Sequence, residues 1–210
     1  MSGIDFTAMY ASHDAFRRDL ERLAQAVADG RADTPGVRAG WENFKRQLHI
    51  HHTAEDGGLW PRVRDRAAGR PRDLALLDDM EAEHSRIDPL LDAVDTALAD
   101  RAPELPDLVR ALTATLDDHL KHEEDSALPL MQEVLTAADW AAFTGRIRET
   151  QGLRGASVFV PWIVDGAPAA DRAAFLGAMP PPVRMLNRLF WEGSYRRKGW
   201  WAGADTRTGA

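Results

Sequence analysis

No cysteine occurs among the 210 residues. That absence excludes disulfides, thiolate metal sites, iron–sulfur clusters and cysteine nucleophiles, so any metal bound here takes nitrogen and oxygen ligands. Positive charge is also scarce: 26 Lys and Arg face 33 Asp and Glu, for a formal net charge of -7 and a pI near 5.5. Non-specific nucleic-acid binding needs a basic surface that displaces counterions from phosphates, and the balance argues against it. Long apolar runs are missing as well. No segment approaches the roughly 20 apolar residues that span a bilayer, and no N-terminal run joins a basic stretch to an apolar one. The expectation is a soluble, cytoplasmic protein with no transmembrane segment and no nucleic-acid partner. The hydrophobic content of 44% is enough for one good-sized core, most simply a single domain with an extension.

What the chain does have is helical periodicity. Apolar residues recur at alternating steps of four and three in four segments, the mark of helices that bury one stripe. The first stripe runs Met9, His13, Phe16, Leu20, Leu23, Val27, and the second Val37, Trp41, Phe44, Leu48, His51, Glu55, Leu59. The third runs Leu77, Met80, His84, Ile87, Leu91, Val94, Leu98, and the fourth Leu108, Leu112, Leu116, His119, Glu123, Ala127, Leu130. Histidine and glutamate thus occupy positions that otherwise hold Leu, Phe and Ile.

The polar members of these stripes repeat. His51 and Glu55 have three residues between them and Pro61 follows; His119 and Glu123 have the same spacing and Pro129 follows at the same offset. In an up-down bundle, residues equidistant from a connecting loop lie at one level, so the midpoint of each histidine pair must be a loop. Between His13 and His51 the midpoint is Ala32, inside a Gly30–Gly36 turn segment; the next two are Ala67/Ala68, beside Gly69 and Pro71, and Arg101/Ala102, beside Pro103. Glu55 and Glu123 lie one helical turn further, about 6 Å along the axis. Gly57-Gly58 with Pro61, Pro89 and Pro129 predict kinks or helix ends near the site.

Buried carboxylates and imidazoles cost several kcal/mol unless paired or bound to a metal. Six at one level make a cation the economical explanation. Imidazole with carboxylate suits iron, manganese or zinc, and two carboxylates among four histidines favour a dinuclear centre. His49, His52 and His122 fall off the stripes and read as solvated or supporting residues, with His52 and His122 close enough to serve as alternative ligands or proton donors. Asp56, Glu124 and Asp125 read as solvated acids or acceptors for ligand imidazoles.

The segments His51-His52-Thr53-Ala54-Glu55-Asp56 through Pro61, Glu83-His84, and His119-Leu120-Lys121-His122-Glu123-Glu124 through Pro129 resemble the hemerythrin-like, HHE cation-binding family over roughly residues 5–134. The resemblance implies an all-α, up-down four-helix bundle around a non-haem di-iron centre with an oxo, hydroxo or water bridge. His13, His51, His84 and His119 would be terminal ligands and Glu55 and Glu123 bridges, with iron named by the resemblance and manganese or zinc left open by ligand type. Two departures bear on function. Oxygen carriers of the family have a second histidine four residues after the one matching His84, where this chain has Asp88, a further candidate ligand. They also place the last bridging carboxylate, an aspartate, five residues after its histidine, where Glu123 stands at four. With one imidazole fewer, the expected chemistry is binding or reaction with O2, H2O2 or NO rather than oxygen storage.

Two rival classes stay open. A ferritin-like carboxylate oxidase expects Glu-x-x-His on two helices, and only Glu81 to His84 fits. A sensor or interaction protein without turnover would use the metal to govern its C-terminal extension. The domain reading is a bundle over residues 1–134, a helical, aromatic-rich extension over 135–202 packing on it, and a disordered tail over 203–210. Within the extension, Thr136 N-caps a helix over 137–150 and a second helix covers 169–179. From Pro180 to Trp201, Arg184, Arg188, Arg196, Arg197 and Lys198 face one acid, Glu192, with five aromatics interleaved. Packing on the bundle or across a homodimer interface is the reading favoured for these aromatics, with a membrane surface or another partner as alternatives.

Overall fold

A computed structural model describes residues 3–202, so the tail expected over 203–210 lies outside the described residues. The chain is all-α, with no strand among the described residues. The helices are α1 (Thr7–Ala28), α2 (Pro35–Ala54), α3 (Trp60–Arg66), α4 (Pro71–Asp100), α5 (Leu105–His122), α6 (Leu128–Val134), α7 (Ala137–Val164), α8 (Ala169–Ala178), α9 (Pro181–Leu186) and α10 (Glu192–Arg197). Single π turns join α2 to α3 (Glu55–Leu59), α5 to α6 (Glu123–Ala127) and α9 to α10 (Asn187–Trp191). All three midpoint loops fall between helices as the spacing requires. Arg101 ends α4 in the left-handed region at φ 54°, its N–H bonded to Ala97 O.

Two compact units divide the chain, and they are not consecutive in sequence. One comprises Lys45–Ile147 with the N-terminal residues up to Ile4. Its core is made by the apolar stripes: Leu48, Leu59, Trp60, Leu77, Met80, Ile87, Leu112, Leu116 and Met131 are all buried. Thr136 caps α7 as predicted. Its hydroxyl accepts the Asp139 N–H at 3.1 Å while Asp139 accepts the Thr136 N–H at 3.0 Å, a reciprocal capping box. Arg62 and Arg66 close on the same carboxylate at 2.7 and 3.0 Å. These donors hold Asp139 well below the usual aspartate range, the Thr136 backbone N–H first among them.

The other unit comprises Asp5–Phe44 and the residues from Arg148 onward. Aromatic packing dominates it. Phe16 meets Phe44 edge-on at 5.8 Å and Trp162 at 5.2 Å between ring centres, and Trp41 stacks on Phe44 at 5.1 Å. Arg18 donates to the carbonyls of Trp162 (3.0 Å) and Asp165 (2.6 Å), satisfying the open C-terminal end of α7. Gly152, at φ 58° and ψ -166°, breaks the helical dihedrals inside α7, so the predicted helix over 137–150 is followed by a second helical run carrying Val158–Ile163. Trp201 is buried, and its backbone N–H donates to Gly36 O at 2.8 Å. Gly36 and Gly40 have no room for a side chain: a Cβ at Gly40 would stand 2.4 Å from the Trp201 ring.

Candidate metal centre

The prolines after the glutamates do not end the helices outright. They produce π turns. A proline in a helix has no N–H and clashes with the carbonyl four residues back. In both copies the residue just before the proline, Trp60 or Leu128, sends its N–H five residues back to the carbonyl of Glu55 or Glu123. The wider turn absorbs the proline at the cost of one extra residue per turn, and it starts on the glutamate itself. The expected kinks are therefore π turns at Pro61 and Pro129, while α4 runs through Pro89 as one helix.

Within the Lys45–Ile147 unit, α2, α4 and α5 bring His52, His84 and His119 together, all three buried, with one ring nitrogen from each lying within 4.8 Å of the others. The His52 ring stacks on His84 at 3.9 Å between centres, and His84 meets His119 edge-on at 4.6 Å. His84 Nδ1 lies 2.8 Å from Asp56 Oδ1, and His119 Nδ1 lies 3.0 Å from Glu83 Oε2. A carboxylate oxygen accepts, so each Nδ1 carries the proton and each Nε2 presents a lone pair. Those two Nε2 atoms are 3.1 Å apart. Two lone pairs at that distance repel unless a cation lies with them.

Glu55 sharpens the point. It is 1% exposed and neither of its oxygens accepts a hydrogen bond. The nearest cationic or ligating partners are His51 Nε2 at 3.2 Å and His84 Nε2 at 3.6 Å. Burial, then the charges of Glu123 and Asp56, push its carboxyl well above the ordinary glutamate value. Burial and the neighbouring His119 push His84 down. Both shifts express one fact: acids and imidazoles are crowded in a dry place without enough protein donors. A bound cation answers all of it, and oxygen and nitrogen ligands of this kind suit iron, manganese or zinc.

The structure brings five of the six predicted ligands into one unit: His51, Glu55, His84, His119 and Glu123. His13 is buried on α1 in the other unit. His52 lies not at the edge of the site but inside the histidine cluster. Asp88 is exposed on α4, and the acid that reaches His84 is Asp56. Glu83 also holds His122 Nδ1 at 3.0 Å, so one carboxylate ties two imidazoles on α5. Partial burial works against it, yet the hydrogen bonds from His119 and His122 keep Glu83 below the ordinary range. Its role escaped the stripe reading; the signal was His119-x-x-His122, two imidazoles one turn apart that a single acid on α4 spans. Glu81, the acid a ferritin-like site would need, is exposed and bonds Arg64 at 3.2 Å.

Fold and site together define an all-α protein whose buried histidines and glutamates are candidate ligands for a cation. The model of the hemerythrin HHE cation binding domain matches residues 5–131, and the chain belongs to that family. Its fold is accordingly a hemerythrin-like helical bundle. Comparison with curated proteins and with solved structures returned no match.

Proposed function

We propose that this protein holds a non-haem di-iron centre and that it binds or reacts with a small ligand, O2, H2O2 or NO. The observation that carries the reading is the buried Glu55 carboxylate without a hydrogen bond, set beside two imidazole nitrogens whose lone pairs face each other. In this reading Glu55, Glu123, His51, His84 and His119 would hold the metal ions. His13, carried over from the family resemblance, would be a further ligand. His52, stacked on His84, supplies the imidazole that Asp88 does not.

Bound iron supplies Lewis acidity and one-electron redox steps. The rest is the work of the chain. Asp56 and Glu83 fix the tautomers of His84 and His119, so that both present Nε2 to the metal. Met80, Ile87, Leu112 and Leu116, buried on α4 and α5, keep the helices that carry these imidazoles packed away from water. His122, with its side chain about a third exposed and its Nδ1 on Glu83, would pass protons between solvent and the site.

The test is metal content per chain by mass spectrometry on gently purified protein, with the Glu55→Ala/Glu123→Ala variant beside it. Close to two irons in the wild type and almost none in the variant is the expected outcome. One zinc unaffected by the variant overturns the proposal. Peroxide consumption and NO binding then separate a reactive centre from a sensor without turnover.

A further inference from the structure

Five large apolar side chains are exposed among the described residues, and three of them, Met185 (57%), Leu189 (61%) and Phe190 (61%), fall within six residues of one another. They lie on α9 and the π turn after it. The opposite side of this segment is anchored, since Asn187 and Tyr195 are buried. Arg184 and Arg188 are exposed beside the apolar three, spaced i, i+4 like Met185 and Leu189, so the two pairs run along one outward face. Arg196, Arg197 and Lys198 add exposed positive charge just beyond. The only acid of the segment, Glu192, is already engaged, accepting from Arg172 at 2.7 Å and from Asn187 at 2.6 Å. The chain as a whole carries -7, so this is a positively charged, apolar face on an acidic protein.

We propose that this face docks the protein on an anionic lipid surface, with Met185, Leu189 and Phe190 entering the headgroup boundary and the exposed arginines pairing with lipid phosphates and carboxylates. Basic residues flanking a short apolar helix face are what interfacial attachment requires. A protein partner fits less well. The α9 segment with its π turn, residues 181–191, is about 16 Å long, and three convex side chains do not supply the roughly 800 Å² per partner of a stable protein interface. A lipid boundary deforms around such side chains and needs no matching shape. No helix of the described residues is long and apolar enough to cross a membrane.

The experiment is vesicle flotation of the purified 210-residue protein with phosphatidylcholine vesicles and with vesicles containing about 30% phosphatidylserine. Binding to the anionic vesicles should exceed binding to the neutral ones by about tenfold or more and should fall as salt is raised. Arg184→Glu/Arg188→Glu should lower it at least about tenfold, and Leu189→Asp/Phe190→Asp should abolish it, both with unchanged melting temperature because the residues are exposed. Equal binding to both vesicle types, or none to either, overturns the proposal. So does retained vesicle binding by both variants. A concentration-dependent dimer that Leu189→Asp/Phe190→Asp dissolves, without vesicle binding, assigns the face to a second copy of the chain instead. Binding to a polyglutamate peptide in place of anionic vesicles assigns it to an acidic polypeptide.

Discussion

Asp19 and Glu55 are both fully buried carboxylates, one in each compact unit, and they are solved in opposite ways. Asp19 accepts hydrogen bonds from Arg18 Nε and a terminal nitrogen at 3.0 and 2.8 Å, and from the Trp162 indole at 2.8 Å, with Arg22 at 3.5 Å. Both of its oxygens have protein donors. Glu55 has none, and its neighbours are another glutamate and imidazoles that present lone pairs. The lesson is that burial of an acid does not by itself mark a functional site. The donor inventory around it does: an acid the chain satisfies holds the fold together, and an acid the chain leaves unsatisfied reserves a place for something else.

The comparison breaks most sharply in paired substitutions. Asp19→Asn should destabilise by about 3 kcal/mol in urea titration, because it leaves the part-buried Arg18 guanidinium short of its counter-charge, while Arg22 keeps Asp165 at 2.8 Å. Glu55→Gln, measured with chelator present, should leave stability unchanged or raise it, since it removes a charge that only a cation balances. A large loss from Glu55→Gln in the metal-free protein would show that the chain satisfies this acid after all.

Smaller effects sharpen the same contrast. Glu83→Gln should weaken metal binding by about 10- to 100-fold, through looser His119 and His122 tautomers, while the unfolding midpoint of the chelated protein barely moves; competition with a calibrated chelator reads this. Gly40→Ala should cost about 1–3 kcal/mol by driving a methyl into Trp201, with no change in metal stoichiometry. The smallest effect is a pH slope. Asp139 is a satisfied acid in the same unit as Glu55, and its folded pKa lies below its unfolded value of 3.8. Its contribution is therefore present above that value and lost as pH falls below it. Asp139→Asn should flatten this acid limb of the melting-temperature profile, showing that satisfaction by donors, and not membership of one unit, decides an acid's role.

Much of the helical order was readable from residue spacing. The stripes put Leu48, Leu77, Leu112 and their neighbours in the core, the histidine midpoints fell in the loops, and Thr136 was legible as a cap because a hydroxyl before a helical run has a backbone N–H to accept. The π turns were not. Gly57-Gly58 and Pro61 announce a disturbance, but whether a helix stops, kinks or widens depends on whether packing holds both flanks in line, and Leu59 and Trp60 are fully buried on the flank. The place of His52 is hidden from the stripe for a related reason. A stripe read at one residue per turn admits only one of two adjacent histidines, whereas a real helix face is wide enough for both.

Sequence alone determined which residue types were available for chemistry: no thiolate, four histidines and two glutamates at helical spacing, and turns between them. Those are properties of order along the chain, set by the period of the helix and the conformations Gly and Pro permit. Tertiary structure decided which of these groups are satisfied. Glu83 spans two imidazoles, Asp56 rather than Asp88 reaches His84, Asp19 takes the donor to its second oxygen from Trp162, 143 positions away, and Glu55 gathers none. Hydrogen bonds are made between directions and distances in space, and no spacing along one helix reveals what a neighbouring helix places opposite it.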